Sequence, residues 1–201
     1  MRGPPGGTAT FDFSSAMSRL CEDVTDRVDE LLHVDMSQVA VSFAQTRRRV
    51  LHGLQAKLTP MRFEGGAVTT QRNGRLWTCQ RLIHDGREML YILTFYLPRF
   101  LDQPFVEKLT TITHELLHVS PHFDGDLRRF DGRCYMHSPR QKEFDRQAAE
   151  LARKYLAGRP PVELSEFLRH DFRGLVRRHG AVVGLQVPIP KLIPLRDTRS
   201  A

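Results

Sequence analysis

Two histidines four residues apart, with a glutamate directly after the first, constrain this chain more than any other stretch: His114-Glu115-Leu116-Leu117-His118. Four residues make just over one helical turn, so both imidazoles stand on nearly the same face, about 6 Å apart along the axis. From there both reach one Zn²⁺ at about 2.0–2.1 Å. Glu115 lies about 100° further round the helix. That angle keeps it out of the ligand set and lets it take a proton from a metal-bound water. The spacing is that of a metal hydrolase.

The flanking residues place the motif on an amphipathic helix. Pro104 suits the first helical position, with Asp102 or Gln103 as the cap. Phe105, Leu109, Ile112, Leu116 and Val119 recur at helical spacing, and Pro121 stops the helix after His118. The competing interpretation is a buried helix whose histidines and glutamate are satisfied core polar groups. It sets three ionisable side chains beside a core face without an evident partner, which is costly.

A catalytic zinc needs three protein ligands and an open position, and three downstream side chains compete for the third place. His122 follows His118 by four residues, and a continued helix would carry it about 12 Å from His114 along the axis. It ligates only if Pro121 turns the chain sharply back. Asp124 has the spacing of the third ligand in H-E-x-x-H-x-x-G-x-x-H/D proteases, but Pro121 stands where that pattern has its glycine. His137 lies at the far end of a long loop, immediately before the next helix, which gives it a rigid placement. It leads the three.

The rest of the chain reads as an α+β order. Ser14 or Ser15 caps a first helix running to about His33, with Met17, Leu20, Val24, Val28, Leu31 and Leu32 on one side. Strands are expected at Val39–Phe43, Leu51–Leu58, Arg75–Ile83 and Met89–Leu97, with a turn at Glu64-Gly65-Gly66 and a hairpin turn at His84-Asp85-Gly86-Arg87. The last strand is a near-continuous apolar run ended by Pro98 and feeds the motif helix. Ser138-Pro139 opens a helix to about Leu156, and another spans about Val162 to Arg178. Ala181 to Pro194 is extended and suits an edge strand.

Composition narrows the setting. A length of 201 residues with 40% hydrophobic content supports one domain with a real core. No apolar run of membrane-spanning length appears, and Met1 to Thr10 lacks the apolar centre of a signal peptide, so a cytoplasmic protein with no membrane contact is expected. Cys21, Cys79 and Cys134 are scattered and odd in number, which argues against a disulfide framework or a cysteine zinc ribbon. A net charge of +7 permits non-specific DNA contact through a basic face, with Arg47-Arg48-Arg49, Arg128-Arg129 and Arg177-Arg178 as its segments.

The segment from His114 through Phe130, followed by Gly132-Arg133-Cys134-Tyr135-Met136-His137-Ser138, resembles the phage metallopeptidase family of zincins. The resemblance covers about residues 15 to 157. That family is similar to the SprT/Spartan-like metalloproteases, whose third zinc ligand is a histidine in an H-G-P-x-F-like stretch beyond a long loop. His137-Ser138-Pro139 with Phe144 is a looser version of it, with Ser138 in place of the glycine, and the C-terminal cysteine ribbon of bacterial SprT is absent. The resemblance implies a zincin-like fold: an N-terminal helix, a mixed or antiparallel sheet, the motif helix and C-terminal helices. It implies His114, His118 and His137 as Zn²⁺ ligands and Glu115 as general base. The Gly/Pro-rich start makes residues 1–12 a disordered tail, with 13–180 expected as the metallopeptidase domain and 181–201 as an extended tail.

The expected function is hydrolysis of a protein or peptide substrate. Tyr135 and Arg133, just before His137, are the candidates for stabilising the tetrahedral oxyanion, and Asp124 and Asp126 for accepting a ligand N–H. An extended peptide pairs with a strand beside the motif helix, either Met89–Leu97 or its neighbour. The contrasting expectation is a catalytically weak zincin-fold binding module. Its metal is structural, and it contacts DNA or a phage or other partner protein.

Overall fold

The computed structural model describes residues 10–46, 53–129 and 139–195. Strand β1 (Phe11–Asp12) leads directly into helix α1 (Phe13–Arg27). Asp12, not Ser14 or Ser15, caps this helix: its carboxylate accepts the Ser15 N–H at 2.9 Å. Asp12 has the extended backbone a cap requires, whereas both serines are already helical. The helix also ends earlier than His33. Val28 turns extended, and a 3-10 turn at Asp29–Leu31 carries Leu31 into the core instead.

Strands β2 (Val39–Gln45), β3 (Ala56–Pro60), β4 (Thr69–Arg72), β5 (Arg75–Cys79), β6 (Ile83–His84), β7 (Arg87–Glu88) and β8 (Tyr91–Leu97) follow. The apolar run before Pro98 becomes the centre of the main sheet, in the order β2-β8-β3. β2 runs parallel to β8 and β3 antiparallel to it, so the sheet is mixed. β8 is buried on both faces, which explains its unbroken hydrophobicity. Tyr91, Leu93, Phe95 and Leu97 point into the main core, while Ile92 packs with Ala40, Met61 and Met89 on the other side.

The expected strand Arg75–Ile83 is two pieces. β5 stops at Cys79 and pairs with β4 across Asn73-Gly74, where both residues have positive φ. An Asn-Gly pair favours that conformation and so sets a tight hairpin. The turn at Asp85-Gly86 joins β6 to β7 as the sequence indicates, again with both φ positive.

Helix α2 (Phe105–Leu117) carries the motif and packs against α3 (Pro139–Ala157). Pro104 is its cap residue and not its first helical one. The expected helix Val162–Arg178 is broken into α4 (Val162–Ser165), a 3-10 turn (Glu166–Arg169) and α5 (Phe172–His179). The break has a cause. Lys108 of α2, 2% exposed, donates to the carbonyls of Leu168 and His170 at 2.8 Å each, and Asp171 recaps the chain for α5. Beyond α5, β9 (Val182–Val183) pairs parallel with β1, and β10 (Leu192–Pro194) adds an edge to β5. Among the described residues no helix is long and apolar enough to cross a membrane.

Candidate metal centre

Helix α2 buries Lys108, Leu109, Ile112, Thr113, Leu116 and Leu117, which holds one side of the helix against the core. The motif residues sit at the border of that face, half-buried, where a side chain reaches both core and solvent. Thr113 Oγ1 donates to the Ala148 carbonyl at 2.8 Å and sets α2 against α3. His114 and His118 then turn toward one another: their Nε2 atoms lie 3.1 Å apart, with ring planes 75° from parallel.

Both imidazoles are held neutral. Burial lowers the His118 pKa to about 4, helped by His114 and Arg128, and burial also lowers that of His114 against the pull of Asp145. A neutral ring offers a lone pair, which is the form a metal ion binds. Two nitrogen ligands of a tetrahedral Zn²⁺ lie about 3.3 Å from each other at Zn–N distances of about 2.0–2.1 Å. The observed separation fits that edge.

Glu115, between the two histidines in the motif, reaches β3. Its Oε2 accepts the Leu58 N–H at 2.7 Å. Burial raises its pKa to about 7, opposed by that hydrogen bond and by the charge of Lys57. The C-terminus of α2 is tied down beyond the motif. Arg128 donates its N–H to the His118 carbonyl at 2.7 Å and its Nε to the Leu117 carbonyl at 2.8 Å. These bonds satisfy two of the carbonyls a helix end leaves unpaired and set a cation where the helix dipole is negative.

The segment after the motif does turn sharply, through Phe123 (φ 49°) and Gly125 (φ 86°). Its direction takes Asp124 toward the 3-10 turn at Glu64–Gly66, where a Cβ on Gly66 would stand 2.9 Å from the Asp124 Cβ. Asp124 Oδ1 accepts the Asp126 N–H, and His122 is exposed with its N–H on Ser120 Oγ. Among the described residues no third His, Cys, Asp or Glu joins the pair in a group able to hold a metal. His137, Tyr135 and Arg133 lie outside the described residues, as do Arg47-Arg48-Arg49.

The carboxylate that meets the His114 ring is one that sequence patterns do not single out. Asp145 of α3 places Oδ1 3.2 Å from His114 Nδ1. Asp126 is engaged elsewhere: its carboxylate accepts from Gly65 N–H, Leu127 N–H and Arg129 Nε. No signal near the motif points to Asp145, which arrives only through the packing of α3 on α2. The basic segments also divide. Arg128 caps α2 and Arg129 pairs with Asp126 and Glu64, whereas Arg177 and Arg178 are exposed on α5.

Comparison with protein-family models, curated proteins and solved structures finds no match to this chain.

Proposed function

We propose that this protein is a zinc-dependent peptidase of zincin type, in keeping with its resemblance to the phage metallopeptidases. The convergence of His114 Nε2 and His118 Nε2 at 3.1 Å, beside a carboxylate with a pKa near neutrality, supports this reading most. His114 and His118 would hold Zn²⁺, with His137 as third ligand and Tyr135 near the oxyanion, as the resemblance implies. Zn²⁺ supplies Lewis acidity, polarising a carbonyl and lowering the pKa of water toward about 7.

The chain's own groups do the rest. Leu58 holds Oε2 of Glu115, which leaves Oε1 to accept a proton and pass it to a leaving amine. A base works best when its pKa lies near the working pH, and burial brings Glu115 there.

β3 is the edge on which an extended peptide would lie. β8 is central, so it does not serve. Gln55 and Met61 make their backbone bonds toward the β8 side, and alternation then turns Ala56 and Leu58 outward. The Leu58 N–H follows that direction, since it reaches Glu115. A peptide paired with the outward carbonyls of Ala56 and Leu58 passes directly beside the base.

The test is Glu115→Gln. Chelator-sensitive cleavage of a generic protein substrate should disappear in this variant while zinc remains stoichiometric. Cleavage at the wild-type rate would refute the assignment. Zinc without cleavage in the wild type would favour the binding-module alternative.

A further inference from the structure

Two consecutive residues of α3 each meet an imidazole of α2. The Phe144 ring stacks on His118, with centroids 4.5 Å apart and planes 29° from parallel, and stands edge-on to His114 at 4.9 Å. Asp145 reaches the opposite edge of the His114 ring, at Nδ1. The neighbouring charges Glu143 and Arg146 bind each other.

A neutral imidazole has one N–H, and an unrestrained histidine side chain in water favours placing it on Nε2. At His114 that choice would set the Nδ1 lone pair against a carboxylate 3.2 Å away and aim a proton at His118. The other tautomer donates Nδ1–H to Asp145 and turns the Nε2 lone pair toward His118. A carboxylate accepts only, so it selects the second form.

We propose that Asp145 is a positioning residue that fixes the Nδ1–H tautomer of His114, while Phe144 fixes the planes of both rings, so that α3 presets the histidine pair for a divalent cation. The purpose of this arrangement rests on the zinc reading, but the tautomer is a property of the metal-free protein. Asp145 is not itself in the ligand set: it approaches the ring nitrogen that points away from His118. The tie from Thr113 to Ala148, one turn along α3 from Asp145, keeps the carboxylate in register. Such partners typically change metal affinity by about 10–100-fold.

Asp145 is half exposed (52%), and alanine is the strongest helix former, so Asp145→Ala should fold. Nitrogen-15 NMR of histidine-labelled, metal-free protein at pH 7.5 reads the tautomer, and competition against a chromophoric chelator reads the affinity for zinc alone. The wild type should show His114 protonated on Nδ1. Asp145→Asn, whose amide oxygen still accepts, should keep that form. Asp145→Ala should move the proton to Nε2 and weaken zinc binding by about 10–100-fold at unchanged Tm. An Asp145→Ala protein that keeps Nδ1–H and wild-type zinc affinity overturns the proposal. If the tautomer switches but the wild type takes up no zinc, the positioning role stands and the peptidase reading fails.

Discussion

The carboxylate of Glu115 accepts the backbone N–H of Leu58 at 2.7 Å, which joins the motif helix to the edge strand of the sheet. That one bond places the candidate base and the candidate substrate strand together. Among the described residues the Leu58 N–H is the one donor to this carboxylate, and burial outweighs it, since the pKa rises from 4.5 to about 7.

Burial of Glu115 should therefore make the metal-free protein pH-sensitive. The folded pKa exceeds the unfolded one, so between about pH 4.5 and 7 the folded state binds more protons. Stability from this group is present below that window and lost as pH rises through it. Glu115→Gln removes the loss, and the metal-free variant should be more stable than wild type at pH 8 by on the order of 1–3 kcal/mol. Urea unfolding of both at pH 5 and pH 8 checks this. An equal difference at both pH values would contradict it.

Lys108 gives the opposite slope. Burial lowers its pKa from 10.5 to about 8, against the pull of Asp102 and Asp171. Between those values the unfolded chain binds more protons, so stability should rise with pH. The neutral amine still has two N–H groups for the Leu168 and His170 carbonyls. The advantage of wild type over Lys108→Met should grow by on the order of 1–3 kcal/mol from pH 8 to pH 10. A constant difference across that range, measured by urea unfolding, would show that Lys108 is not buried as described.

Gly125, in the segment behind the motif, should resist replacement. Its φ of +86° is strained for any other residue, and an added Cβ would stand 2.5 Å from Arg62 Cγ. Arg62 cannot easily withdraw, because it pairs with Glu88 at 2.6 Å. Gly125→Ala should cost about 2 kcal/mol or more. Gly74 makes the control: its φ is also positive, at +74°, but nothing lies within 4 Å of an added Cβ. Gly74→Ala should cost about 1 kcal/mol. Similar urea midpoints for the two variants would contradict this account of the loop.

The part of the site written in local spacing is legible in the amino-acid sequence. His114, Glu115 and His118 owe their relation to helical geometry, and the apolar stripe of α2 announces the helix. β8 is legible because burial on both faces leaves a continuous hydrophobic run. Asp145 is not, because its role depends on how α3 lies on α2, 27 residues after His118. The break in the C-terminal helix is hidden for the same reason, since it follows from a lysine on a different helix. The β4–β5 hairpin differs: Asn73-Gly74 is a local signal, masked by the apolar residues that follow it.

Whether two imidazoles one turn apart hold a divalent cation is tested most directly by metal content. After purification without chelators and dialysis against metal-free buffer, atomic absorption should find one zinc per wild-type chain. His114→Ala and His118→Ala should each retain almost none while keeping the far-UV circular dichroism of the wild type. A wild-type chain without zinc, or single-histidine variants that hold it as well as wild type, would contradict the account.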